Sequence, residues 1–255
     1  MAISKHGYGA IAMITIGTLY NAVAMILPMW TVNSTVNSAL TDQVASTNFK
    51  AGLMSFCIDS KLTNSSTALN HCFYYKFGSG YKDLSIVNEE TGDVSDSEQL
   101  AYATVLATAA GMDAEQFDKF LDKSCGLMGF ATMTFGGMSM SNGLMAIIAI
   151  VGSITCRKGN KKWVGGGFFL AGVACFTAML TFVLWIVQAK PLGEKDDTSL
   201  KTAFFLMIIA MLHYPLAMFM FWKHLQPQNG AKDDFDQNTF ILEDSDSDSG
   251  SRACM

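Results

Sequence analysis

Four long stretches of the chain carry no Asp, Glu, Lys or Arg: residues 6–41, 124–156, 163–189 and 202–222, of 36, 33, 27 and 21 residues. Apolar positions follow one another there without the alternation of a half-buried strand, and the runs are too long for core strands, so the pattern predicts helices. A hydrocarbon layer about 30 Å thick takes roughly 20 apolar helical residues to cross. Lipid admits only helices or closed barrels, because an unpaired backbone polar group is too costly there. The reading is four membrane-spanning helices at 8–29, 126–155, 164–188 and 202–222. The first run ends on Pro28-Met29-Trp30, with an aromatic ring at headgroup level. Ala22-Val23-Ala24 behind Lys5 resembles a signal-peptide cleavage site, but the apolar run continues to Met29 and predicts a retained helix. A fifth charge-free run, 99–112, is too short to span. Ser95-Asp96-Ser97-Glu98 before it is a capping pattern, and the expectation is a helical insert over about 97–123.

The connections set the orientation. Cys156-Arg157-Lys158-Gly159-Asn160-Lys161-Lys162, within the 156–163 loop, has four positive charges and no acid. Short loops rich in Lys and Arg stay in the cytoplasm. The N-terminus (1–7) and the tail (223–255) are then cytoplasmic, and the loops 30–125 and 189–201 are extracellular or lumenal. The long loop carries two N-glycosylation patterns, Asn33-Ser34-Thr35 and Asn64-Ser65-Ser66, which matter only on that side. Asn33 is the candidate nearer the membrane.

Composition agrees with this division. Half of the residues are apolar and 15% are charged, against roughly 25% in soluble domains. The long loop holds 12 acids and 6 Lys, and the tail from Gln226 holds 7 acids and 2 bases, so the net charge of −5 comes from the loop and the tail. That acidity repels phosphate and argues against a nucleic-acid partner. The basic loop is drawn to anionic lipid.

Of six cysteines, Cys57, Cys72 and Cys125 fall on the outer side. Disulfides persist in an oxidising compartment, so Cys57 and Cys72 are the natural pair. Closing a loop of about 15 residues is worth roughly 3 kcal/mol in the chain-entropy model. Cys125 is then the odd one, a buried thiol or an intermolecular bridge. Cys156, beside basic residues at the membrane surface, is a palmitoylation candidate or a small apolar helix-end residue. Residues 31–36, 52–58, 72–77 and 84–87 are short and rich in β-formers, which predicts a small antiparallel sheet around the disulfide.

These features resemble the claudin and peripheral-myelin-protein superfamily of four-span membrane proteins. Leu27-Pro28-Met29-Trp30 is similar to the family's Leu-Pro-x-Trp ending of the first span. Trp30, then Gly52-Leu53-Met54, then Cys57 and Cys72 follow its Trp, Gly-Leu-Trp, Cys, Cys order, with Met54 where the family has a second Trp. Gly165-Gly166-Gly167-Phe168-Phe169-Leu170-Ala171-Gly172 is similar to the family's entry to span three. The resemblance implies a left-handed four-helix bundle carrying a small disulfide-stapled outer sheet anchored by aromatic residues. The chain departs from claudins in its wider cysteine spacing, its longer first loop and a second loop without an aromatic residue. It also ends in Arg252-Ala253-Cys254-Met255 rather than Tyr-Val.

Little here suggests chemistry. Within the spans only His213 is an ionisable residue of the kind used for proton or ligand work. In His213-Tyr214-Pro215 a bond to a neighbouring helix at a proline kink is the plainer account, and a proton or ligand site the alternative. There is no phosphate-binding Gly-rich loop before a Lys, no His-Glu-x-x-His and no Cys-x-x-Cys. No catalytic residue, metal or cofactor is expected. The tail's Glu243-Asp244-Ser245-Asp246-Ser247-Asp248-Ser249 is too polar to fold. Ser245, Ser247 and Ser249 are phosphorylation candidates that would serve a cytoplasmic partner. The expected function is non-enzymatic: association of the outer domain, side by side or between apposed plasma membranes, with copies of itself or another membrane protein. An auxiliary subunit of a channel or receptor is the alternative, motivated by the extra segment 78–124. A small transporter or membrane enzyme is the weakest.

Overall fold

The computed structural model describes residues 5–63, 68–75, 96–155 and 161–225. Four of its helices are long and apolar enough to cross a membrane: α1 (Lys5–Ile26), α4 (Leu127–Thr155), α5 (Lys161–Ala189) and α7 (Thr202–Leu225). They pack as a ring in the order α1, α4, α5, α7 and back to α1. α1 stops two residues ahead of Pro28, which cannot continue the helical ladder.

Each long helix buries one seam. On α1 it is Gly7, Ala10, Ile14, Gly17, Asn21 and Ala24; on α7 it is Ala203, Met207, Ala210, Tyr214, Ala217 and Phe221. α4 buries Thr132, Gly136, Ser139, Gly143, Ala146, Ile150 and Ser153, and α5 buries Gly167, Ala171, Ala174, Ala178, Thr181, Trp185 and Gln188. Steps of three and four alternate throughout, the 3.5-residue repeat of left-handed helix packing. The seams are built mostly of small and polar residues, while large apolar side chains such as Phe169, Phe176, Phe205 and Phe219 face outward. Small seam residues let backbones approach closely. A Cβ on Gly143 would come within 2.5 Å of Thr18 Oγ1 and 3.0 Å of Tyr214 Oη.

Polar side chains join the helices. Asn21 Nδ2 donates to Ser139 Oγ at 2.8 Å, and Ser139 Oγ donates to the Ala174 carbonyl at 2.8 Å, linking α1, α4 and α5. In α7, Pro215 has no N–H for the Met211 carbonyl, and Cys175 Sγ of α5 donates to that oxygen at 3.6 Å.

Above the ring stands a five-stranded antiparallel sheet in the order β4-β3-β2-β1-β5, with β1 Thr31–Asn33, β2 Val44–Ala51, β3 Ser55–Leu62, β4 Ala68–Tyr74 and β5 Thr198–Leu200. Two helices, α2 (Asp96–Ala109) and α3 (Ala114–Cys125), cover one face. A four-residue helical turn, α6 (Leu192–Lys195), precedes β5. The sequence pattern misplaces two parts of this sheet. Val44–Ala51, which contains Ser46, Thr47, Asn48 and Lys50 and is not among the expected strand segments, forms a strand whose Val44, Thr47, Phe49 and Ala51 are buried. Gly52-Leu53-Met54 is the turn between β2 and β3, where Gly52 N–H donates to the Ser55 carbonyl at 2.8 Å. Residues 84–87, assigned above to a strand, lie outside the described residues.

Candidate functional site

The outer domain carries the exposed polar surface and most of the residues singled out from the sequence. Its construction decides what it can do. Cys57 and Cys72 are direct partners in the β3–β4 register and form a disulfide. It sits on the sheet face away from α2 and α3, with Asp59 and Lys61 following on β3 and Tyr74 on β4.

The other face is an apolar core. Phe49, Phe56 and Ile58 of the sheet are buried together with Ala103, Leu106 and Ala107 of α2, with Ala110 just past it, and with Phe117, Phe120 and Leu121 of α3. Phe117, Phe120 and Leu121 repeat at helical spacing along α3 and give it an apolar stripe, with Ser124 buried on the same face. A few strands bury too little alone, and the insert supplies the missing layer. Asp113 caps α3 by accepting from Gln116 N–H at 3.1 Å.

Two buried connections lock this domain to the ring. The first is aromatic. Phe73 stacks on Phe56 (5.2 Å between centroids), Phe56 meets Phe117 (5.9 Å), Phe117 meets Phe49 (5.7 Å) and Phe49 meets Phe120 (6.3 Å). The path continues through Phe120–Trp185 (6.3 Å), Trp185–Trp30 (5.4 Å) and Trp30–Phe204 (6.1 Å) into α7. Both indoles are hydrogen-bonded: Trp30 Nε1 donates to the Ala24 carbonyl at 2.6 Å, and Trp185 Nε1 donates to Thr31 Oγ1 at 3.2 Å. The second connection is polar. Gln188 of α5 donates from Nε2 to Ser124 Oγ at 2.8 Å, and Thr132 Oγ1 of α4 lies 3.3 Å from Gln188 Oε1. Tyr75, just past β4, is buried beside Ser124 and Cys125. Burial, reinforced by Cys125 and opposed by the bond with Ser124, holds its phenol well above the ordinary range.

The motif residues meet at the foot of the sheet. Gly52 lies against the backbone of Leu27 and Pro28, and a Cβ there would come within 2.7 Å of Pro28 Cα and 2.8 Å of the Leu27 carbonyl oxygen. Leu53 is buried next to it, and the Met54 carbonyl accepts from Tyr75 N–H at 3.1 Å. Trp30 N–H donates to the Ala51 carbonyl at 2.9 Å. Trp30, Gly52, Leu53 and Met54 thus form one joint, while Cys57 and Cys72 lie further along the sheet.

Asn33 ends β1 and is 1% exposed. Its Oδ1 accepts from the N–H and the hydroxyl of Thr35 at 2.9 and 2.8 Å, and Nδ2 is enclosed without a partner. Asn64, Cys156, Ser245, Ser247 and Ser249 lie outside the described residues. Cys125 is a buried thiol at the end of α3.

The short second loop is more structured than its sequence suggests. β5 pairs with β1 (Thr31↔Leu200, Asn33↔Thr198) and closes the sheet edge nearest the ring. Asp196 binds Asn37 Nδ2 at 2.9 Å and Asp113 N–H at 3.1 Å, so it ties the β1–β2 connection, the α2–α3 connection and the second loop together. Lys195 adds ion pairs to Asp113 (3.2 Å) and Glu115 (3.5 Å). Burial pushes the Asp113 carboxyl up, but the Gln116 N–H and the Lys195 ammonium outweigh it and hold it below its usual value. Trp185, Gln188 and Asp196 carry much of this anchorage, and the sequence pattern singled out none of them.

The opposite sheet edge, β4, pairs with no further strand among the described residues, and Tyr74 there is 77% exposed. His213 bonds its own helix, with Nδ1 2.7 Å from the Ile209 carbonyl, and meets Tyr20 edge-on at 5.7 Å. Among the described residues no three His, Cys, Asp or Glu side chains gather as a metal site would need. No protein-family model and no curated protein matches the chain.

Proposed function

We propose that this chain is a claudin-like, four-span plasma-membrane protein that works by associating through its outer domain, laterally or between apposed membranes. The observation that carries the reading is the combination of a sheet fixed to the ring through Trp30 and Trp185 with an edge strand, β4, that bears Tyr74 and pairs with no further strand among the described residues. An unpaired edge is a template for strand addition, and a domain fixed to its helices presents that edge at a constant height and angle. The outward-facing phenylalanines of the helices support membrane insertion, since such a surface is too apolar for water. The four positive charges of 156–163 support cytoplasmic termini. The net charge of −6 in the 30–125 loop would bias a space lined by these domains toward cations.

Crosslinking of the intact chain at native expression tests the reading. Self-association is expected, and the double variant His71→Lys/Tyr74→Lys, which places charge on the open edge, is expected to reduce it at least several-fold while leaving surface delivery intact. A chain that never crosslinks to itself would sink the proposal. A stoichiometric channel or receptor recovered in mild detergent would favour the auxiliary-subunit reading. The outer surface of the α2–α3 insert, where Val105 is exposed, favours that second reading.

A further inference from the structure

A cleft of about 300 Å³ opens between α4 and α5 in the half of the ring remote from the sheet. Met145, Ile148, Ala149, Trp163, Gly166 and Leu170 line it, and its wall is almost wholly apolar. α5 has no side chain to fill it at Gly166, where an added Cβ would meet nothing within 4 Å. Trp163 forms one side, its indole set against Gly152 of α4, where a Cβ would lie 3.3 Å from the ring. Met145, Ile148 and Trp163 remain 53, 58 and 43% exposed. The cleft is therefore open along its length and is an acyl-chain-sized furrow rather than a closed cavity.

Charge at one end specifies the occupant. α5 begins with Lys161 and Lys162, and Lys162 stands four residues before Gly166 and eight before Leu170 along the helix. At 1.5 Å per residue, Lys162 lies about 6 Å along the axis from Gly166 and about 12 Å from Leu170. A headgroup phosphate at the level of Lys161 and Lys162 would thus put the first carbons of its chain in the cleft. No acidic residue occurs between Ser124 and Lys190 to oppose it. An amphiphile without negative charge, such as a sterol, would leave the two lysines unused. We propose that this cleft is a binding site for an anionic glycerophospholipid of the cytoplasmic leaflet, one acyl chain lying against Trp163 and Gly166 and its phosphate at the level of the first turn of α5, where the sequence has Lys161 and Lys162. This rests on the membrane-spanning reading above and adds a specific lipid to it.

The test reconstitutes the full chain in phosphatidylcholine vesicles containing phosphatidylserine, with bromine on the acyl chains of one lipid or the other. The Trp163 signal is the difference between the wild type and Trp163→Phe, and the Trp222 signal the difference from Trp222→Phe. Brominated phosphatidylserine is expected to quench the Trp163 signal well beyond its mole fraction, and to quench Trp222, exposed on α7, only in proportion to it. Lys161→Gln and Lys162→Gln should each weaken the preference about fivefold. Gly166→Leu, which has room for its side chain, should abolish it. Equal quenching of Trp163 by either brominated lipid, a preference untouched by Gly166→Leu, or displacement of phosphatidylserine by a sterol would overturn the site. Trp222 unquenched by both lipids would instead overturn membrane insertion itself, and the site with it.

Discussion

Trp30 is fixed at three points: its backbone N–H on Ala51, its indole N–H on Ala24, and its ring against Trp185 and Phe204. Trp30→Ala is expected to cost about 3–5 kcal/mol, the range for truncating a buried aromatic. Trp30→Phe should recover part of this by keeping apolar contact without the indole donor. Thermal denaturation in detergent, followed by tryptophan emission and by aggregation, would read both, and a Trp30→Ala protein as stable as wild type would mean that the joint is not what holds the sheet. Gly52 belongs to the same joint for a different reason. A methyl at that position meets backbone atoms that cannot swing away, so Gly52→Ala should destabilise by about 1–3 kcal/mol, in the range of overpacked cores. Asp113 gives the outer domain a pH dependence. Its folded-state pKa is lowered, so its stabilising effect is complete above its usual value of 3.8 and is lost as pH falls through the lowered value. Acidification below about pH 4 should loosen the contact among α3, Lys195 and Asp196 while leaving the helices in place. Asp113→Asn should lose that acid dependence, and Asp113→Ala should in addition cost about 1 kcal/mol through the lost cap. Hydrogen exchange at Gln116 and Phe117 against pH is the measurement; identical profiles in wild type and Asp113→Asn would refute the assignment.

Among the described elements, β4 pairs with a strand on one edge only, and its solvent face is held to β3 by Cys57–Cys72. Replacing both cysteines with serine is expected to cost roughly 3 kcal/mol, confined to the outer domain. Limited proteolysis should then cut near β4 while the long helices remain protected, and an unchanged cleavage pattern would mean the covalent link is redundant with the Phe56–Phe73 stack. The same elements explain what the sequence made legible. The four long helices were visible because lipid-length apolar runs have few rival explanations, and the cysteine pair because the outer side offered few partners. β2 was not, since Ser46 and Lys50 face outward and Thr47, though buried, is used in a side-chain bond to the Ala110 carbonyl. β5 was not either, because Thr198-Ser199-Leu200 has no strand pattern of its own and becomes a strand only where β1 offers it an edge. Trp30, Gly52 and Leu53 could be singled out by their order along the chain. Gln188 and Asp196 could not, because their importance comes from Ser124, Asn37 and Asp113, which lie far away in sequence.

At the scale of the whole molecule the distribution of side-chain size inverts between the two halves. The outer domain hides Phe49, Phe56, Phe117 and Phe120 and exposes Asp59, Lys61 and Lys119, as a domain in water must. The helical ring hides Ala10, Ala146, Ala171, Ala174 and Ala210 and exposes phenylalanine, leucine and isoleucine, which is stable only where the surroundings are themselves apolar. The boundary between the two regimes runs through Trp30 and Trp185, which on the proposed membrane-spanning reading lie where one solvent gives way to the other. On the proposed topology four crossings return the chain to the side on which it began, and the charge of the basic loop would place that side in the cytoplasm. A cysteine introduced at Tyr74 should therefore react with a membrane-impermeant maleimide on intact cells, whereas one introduced at Lys223, at the far end of α7, should react only after permeabilisation. Both substitutions fall on exposed positions and so leave the packing undisturbed. Labelling of the Lys223 position in intact cells, with protection at Tyr74, would reverse the orientation and remove the outer-sheet association mechanism. Labelling of both would mean that the ring does not span the bilayer as described, and the outward-facing phenylalanines would then need a protein partner instead of lipid.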